Sequence, residues 1–121
     1  MVDPNCPIKD KVHVFSDASK IYDHTLNQSN LDHNNNKFYI IQALQSDVSP
    51  NEFYLWTRWG RVGVPGQNAL FGPLSKDKIL ANFDQKFQDK TVKGDYVKIE
   101  ISYDDEEEKK EEAVVPKKGI L

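Results

Sequence analysis

Two runs of aromatic and branched residues dominate the middle of the chain, Phe38 to Leu44 (FYIIQAL) and Phe53 to Trp59 (FYLWTRW). Both are as long as an ordinary strand and rich in the side chains that suit a pleated, half-buried surface. The segment between them, QSDVSPNE, is polar and carries Pro50 and Asn51, which favour a turn. Two such runs this close in sequence pair most simply as an antiparallel hairpin. An isolated hairpin is marginal in water, so the rest of the chain must supply more strands and a layer to cover their apolar face.

That covering layer is legible further on. Ser75 to Lys90 reads as the one helix, with Ser75 as its cap, Asp77 in the first turn, and Lys86 and Lys90 in the last turns. Ile79, Leu80, Phe83 and Phe87 fall on one stripe of that helix. Gly94 ends the linking turn, and Tyr96 to Tyr103 (YVKIEISY) then alternates, with Val97, Ile99 and Ile101 expected on the buried face. Between the hairpin and the helix lies GRVGVPGQNALFGP, whose glycines permit sharp turns and close backbone approach, with a short strand expected around Asn68 to Phe71. Near the start, Val12 to Phe15 and Ile21–Tyr22 suggest two short strands around the turn-like SDASK. Leu26 to Lys37 (LNQSNLDHNNNK) is so rich in Asn, Asp and Ser that a loop is expected there, with at most one helical turn. The expected fold class is α+β: a small antiparallel sheet with one main helix on one face.

Charge divides the chain. Its 121 residues carry a net −3, and all of it belongs to residues 104–121, where Asp104 to Glu112 reads DDEEEKKEE. Residues 1–103 hold twelve acids and twelve bases. Residues 104–121 have no aromatic side chain and few apolar ones, so they are expected to form a disordered acidic linker. Residues 1–11 are Pro-punctuated and polar and are expected to form a flexible lead-in, leaving 12–103 as the domain. No apolar run approaches the roughly 18 residues of a membrane span, and residues 1–7 lack a signal-peptide apolar region. The chain reads as soluble and intracellular. The single cysteine, Cys6, excludes an internal disulfide and a cysteine-based zinc site, and reads as an incidental thiol.

Catalytic signatures are missing. His13, His24 and His33 are too dispersed to suggest a ligand set, and no nucleophile-elbow, zincin or Walker pattern occurs. The spaced glycines of GRVGVPG do not follow the dinucleotide-binding order, and no βαβ unit surrounds them. The distinctive local composition is Trp56, Arg58, Trp59, Gly60, Arg61 and Gly63. Trp56, in mid-strand, is expected in the core. Trp59 and Arg61 stand where the strand meets the glycines, where an indole can stack on a sugar or base and a guanidinium can fork onto phosphate oxygens. Tryptophan and arginine are equally suited to anchoring a protein partner, so a protein-interaction module is the alternative.

At these residues the chain resembles a known family. Trp59 to Gly63 reads W-G-R-V-G, the defining motif of the WGR domain found in DNA-dependent poly(ADP-ribose) polymerases. The segments VDPNC, YDHTLNQSNL, NNNKFYIIQ, FYLWTRWGRVGVPGQ and KFQDKT occur in the family's order, so the resemblance spans about residues 2–103 and is greatest to members with a short N-terminus. It implies a non-catalytic domain that binds DNA strand breaks, prefers 5′-phosphorylated ends and helps activate a nuclear ADP-ribosyltransferase. By this resemblance Trp59 packs on a nucleotide sugar at the break. Gly60 belongs to the DNA-contacting motif. Arg61 contacts DNA and communicates with the helical regulatory region, while Asn36, Lys37 and Tyr96 lie near the 5′-phosphate. The family carries a longer, tryptophan-containing segment between helix and last strand, whereas here Lys90 to Asp95 leads directly into Tyr96. The catalytic region is absent from this span, and neither a nicotinamide cofactor nor a metal is implied for it.

Overall fold

The computed structural model describes residues 1–30 and 35–99. Among these residues are six strands, β1 (Val12–Val14), β2 (Asp23–Asn30), β3 (Asn35–Ser46), β4 (Phe53–Arg61), β5 (Gln67–Leu74) and β6 (Val97–Ile99), and one α-helix, α1 (Lys76–Gln88). All pairings are antiparallel, in the order β5-β4-β3-β2-β6, and β1 pairs with the far end of β3. The α+β architecture and the β3–β4 hairpin are those the sequence implies. In that hairpin Lys37 faces Arg61, Tyr39 faces Trp59 and Gln42 faces Trp56.

This register fixes two faces. Tyr39, Ile41, Ala43, Phe53 and Leu55 lie under α1, which inserts Ile79 and Phe83, both fully buried. Leu80 and Phe87, the flanks of the helical stripe, are only partly buried. Ser75 caps α1 as expected, its hydroxyl accepting a hydrogen bond from the Lys78 N–H. After Gln88 the helix widens into a π-helical turn, Asp89–Lys93, so Lys90 lies in that turn and not in α1 itself.

The opposite face holds Leu44 and Trp56 beneath the N-terminal segment, with Cys6 and Val12 in the same cluster. Here the expectation of a flexible lead-in over residues 1–11 is corrected. Asp3 is 4% exposed and Cys6 2%, so this segment is packed against the sheet. Polar contacts hold it there. Trp56 Nε1 donates to Asp3 Oδ2 at 2.8 Å, Arg58 Nε donates to the same oxygen at 2.7 Å, and Arg58 Nη2 reaches Asp3 Oδ1 at 3.2 Å. Gln42 accepts from the Asp3 N–H and donates to the Met1 carbonyl. Burial alone would raise the Asp3 pKa, but the hydrogen bonds from Arg58, Trp56 and the Asn5 N–H outweigh it and hold the carboxyl below its ordinary range.

Three further readings change. Much of the Asn-rich stretch expected as a loop is strand: β2 runs to Asn30 and β3 begins at Asn35. Leu26 is fully buried, and β2 is paired on both edges, by β3 and by β6. Ladder hydrogen bonds on both sides of β2 override the local preference of Asn and Ser for turns. Ile21, read as strand, makes an isolated bridge with Ser16, and the continuous strand starts only at Asp23. In β6 the expected buried face is the exposed one: Val97 is 68% exposed and Ile99 45%, while Tyr96 packs against the core. The cause is register. Lys98 pairs with Leu26, so it shares the helix-covered face, and Val97 and Ile99 take the other. Ile101 and residues 104–121 lie outside the described residues.

Candidate nucleic-acid interface

Side chains alternate along a strand, so Tyr39 and Lys37 of β3, and Trp59 and Arg61 of β4, lie on the helix-covered face. Beyond the reach of α1 that face is open at one end. Trp59 is half-buried there, and its indole stacks on Tyr39 with ring centroids 5.5 Å apart and 12° between planes. Tyr96 meets the same Tyr39 ring edge-on at 5.9 Å. One row further out, Lys37 and Arg61 are cross-strand neighbours, both exposed. Among the described residues no carboxylate pairs with either. Two exposed cations, without an ion-pair partner among the described residues, beside an open aromatic face suit an anionic ligand with flat groups, because the ring supplies stacking and the cations supply charge-assisted hydrogen bonds. Burial pushes the phenol of Tyr96 up, so it remains a neutral O–H donor at physiological pH and does not oppose an anion.

The glycines of the motif make this edge possible. A Cβ on Gly66 would lie 2.1 Å from the Trp59 carbonyl oxygen, and its φ of +79° is one that other residues rarely adopt. A Cβ on Gly60 would meet the Gly66 Cα at 2.9 Å. The turn after β4 therefore folds back onto the strand that carries Trp59, and only hydrogen at both positions allows it. Gly60 contributes backbone and close approach. The Val62 N–H donates to the Asn36 carbonyl at 2.9 Å, which ties the same turn to β3.

The six residues proposed from sequence thus do not all converge. Trp59, Arg61, Lys37 and Tyr96 share one face and one end of the sheet. The side chain of Asn36 points to the other face by strand alternation, and its Oδ1 accepts from the Ser29 hydroxyl at 2.7 Å. Three residues of this face were not singled out from sequence. Tyr39 looked like ordinary core. Gln28, in a presumed loop, donates from Nε2 to the Gly94 carbonyl at 2.6 Å and joins β2 to the segment carrying Tyr96. Lys90 reaches the Tyr39 ring, with Nζ 4.8 Å from its centroid. No local signal in the sequence marks these three, because each acquires its role from a cross-strand or helix-to-sheet contact.

The opposite face carries a shallow groove lined by Phe38, Ile40, Arg58, Val62, Val64 and Pro65. Arg58 belongs to the structure rather than to a free surface. Besides Asp3, it donates to the Pro65 carbonyl at 2.8 Å and lies 5.1 Å from the Phe38 ring centroid.

An antiparallel sheet bearing one helix, with an aromatic and cationic end beside a glycine turn, defines a small recognition domain, and the chain belongs to the WGR domain family, which matches residues 22–103. Among its relatives is Poly [ADP-ribose] polymerase 2 of Homo sapiens, 42% identical over 134 aligned residues that cover 93% of this chain and 22% of that protein. Poly [ADP-ribose] polymerase 2 of Zea mays is 51% identical over 69% of this chain and 13% of its own length. Protein mono-ADP-ribosyltransferase PARP3 of Homo sapiens is 39% identical over 94% of this chain, again 22% of the relative. The chain therefore spans about a fifth or less of these relatives.

Proposed function

We propose that this domain recognises DNA strand breaks, preferring 5′-phosphorylated ends, and relays that event to the catalytic region of a nuclear poly(ADP-ribose) polymerase in DNA repair. The observation that carries the reading is the convergence of Trp59, Lys37, Arg61 and Tyr96 on one open end of the sheet. A half-buried indole already stacked on one side has its remaining surface available to a terminal sugar or base. The two exposed cations and a neutral phenol suit phosphate oxygens. Contacts of this kind read backbone and end geometry, so little base specificity follows. Asn36 lies on the opposite face with its Oδ1 already engaged by Ser29, so its contribution is expected to be smaller than that of Lys37.

The relay to a helical regulatory region is assigned to the Arg61 side of the site. Val62 and Val64, 53% and 51% exposed, follow Arg61 in sequence but line the groove on the opposite face, where they give a protein partner apolar area to cover. That same patch is the observation favouring the second reading, a protein-interaction module. Titrating the domain with 5′-phosphorylated and unphosphorylated blunt duplexes separates the two. Tighter binding of the phosphorylated end is expected. Equal affinities would remove the phosphate claim, and no binding at low salt would leave the protein-interaction reading.

A further inference from the structure

We infer that Lys90 is a phosphate-holding residue of the same site, seated by Tyr39 and the π-helical turn; this rests on the DNA-end reading above. Three observations converge on it. The Lys90 ammonium lies 4.8 Å from the centroid of the Tyr39 ring, the ring on which Trp59 stacks and which Tyr96 meets edge-on. That distance is within the range of a cation–aromatic attraction, so the ammonium is held beside the site instead of sweeping through solvent. Among the described residues no carboxylate neutralises it. Its neighbour Asp89 accepts instead from Gln85 at 2.9 Å.

The backbone around Lys90 is tied closely to the rest of the site. A regular continuation of α1 would carry the chain onward along the helix axis. The wider turn Asp89–Lys93 ends that course, and π-helical turns of this sort are common at functional sites. The Tyr96 N–H then donates to the Lys90 carbonyl at 2.9 Å. A Cβ on Gly94 would lie 2.9 Å from the same carbonyl oxygen, so the chain closes tightly over Lys90. Lys90 and Tyr96 are thereby fastened to each other, and Gln28 fastens the turn to β2 through the Gly94 carbonyl. Lys90, Lys37 and Arg61 form a set of three cations around one aromatic platform. An ammonium bound to a ring by one side still presents N–H groups to a phosphate oxygen.

The test compares wild type with Lys90→Met, which keeps the apolar stem and removes the charge, on a 5′-phosphorylated hairpin duplex across a series of salt concentrations. Each phosphate contact adds a slope of about −0.9 to log K against log salt. Lys90→Met should flatten that slope by about one unit and weaken binding about fivefold near 0.15 M salt, the counterion-release contribution of one contact referred to 1 M. Lys90→Arg should restore the slope. If Lys90→Met binds as wild type does, or binds more weakly with an unchanged slope, the inference is overturned, the second result marking a role in packing alone. Trp59→Ala in the same series tests the underlying reading: if wild type and Trp59→Ala bind the end equally, the end-stacking function itself fails, whatever Lys90 does.

Discussion

Asp3→Ala is expected to be the costliest single change in the N-terminal segment, although it lies nine residues before the first strand. The carboxylate takes three hydrogen bonds from two side chains, Trp56 and Arg58, that sit on β4 itself. Removing it leaves a fully buried indole N–H and a mostly buried guanidinium without their acceptor. Breaking a buried ion pair in this way costs about 3–5 kcal/mol. Arg58 is 15% exposed along its side chain and keeps the Pro65 carbonyl, so the lower end, about 3 kcal/mol, is expected. For a domain of this size that corresponds to a fall in melting temperature on the order of 10–20 °C. The pH dependence sharpens the test. Because the folded-state pKa of Asp3 is depressed, its contribution is complete above the unfolded value and is lost as pH falls through the folded one. The stability gap between wild type and Asp3→Asn, measured by urea unfolding, should therefore be widest near neutrality and shrink below about pH 4. A melting temperature for Asp3→Ala equal to wild type, or a gap for Asp3→Asn that is constant down to pH 3, would refute the assignment of Asp3 as the tether of this segment.

Trp56→Ala should cost about 3–5 kcal/mol, since the indole is fully buried, whereas Arg61→Ala should melt as wild type does yet bind DNA ends more weakly; thermal scans paired with end titrations check both. His24 is buried between Phe83 and Phe87, with no hydrogen-bond partner for Nδ1 among the described residues, and desolvation followed by the nearby Lys98 charge lowers its pKa. Its neutral form is the folded one, so stability holds above the unfolded value of about 6.5 and declines as pH drops below it. His13 shifts the other way through Asp47, so the informative measurement is the difference between wild type and His24→Leu, which should be the less acid-sensitive chain between pH 7 and 5. An identical pH profile for the two would contradict this. Gly66→Ala should displace the turn after β4 and shift the Trp59 indole N–H resonance, because its Cβ would overlap the Trp59 carbonyl; an unperturbed resonance would show that the turn does not support Trp59.

The alternation rules read from the sequence were sound within each strand but silent on which face would be covered. In β6, Val97 and Ile99 do share a face, as expected, yet that face is open, because pairing with β2 sets Lys98 opposite Leu26. A strand's parity is local information; its orientation toward a core depends on the partner's register. The same limit applies to the site. Trp59 and Arg61 were legible because two tryptophans, two arginines and several glycines crowd one short segment. Asn36 and Lys37 are sequence neighbours, and neighbours on a strand point apart. Lys90 has the sequence character of an ordinary last-turn cation, and only the tertiary contact with Tyr39 ties it to the site.

The sequence alone determined the β3–β4 hairpin, the capped amphipathic helix, the segregation of charge beyond residue 103 and the W-G-R-V-G motif, since each is written in periodicity, composition or short-range order. Tertiary structure alone decided three things. It made a strand of the Asn-rich β2 through two ladders, it drew residues 1–11 onto the sheet through Asp3, and it gathered Lys37, Trp59, Arg61, Lys90 and Tyr96 around one ring. Those outcomes depend on contacts between residues far apart in the chain, and the free energy of such contacts exceeds the weak local preferences that a sequence displays.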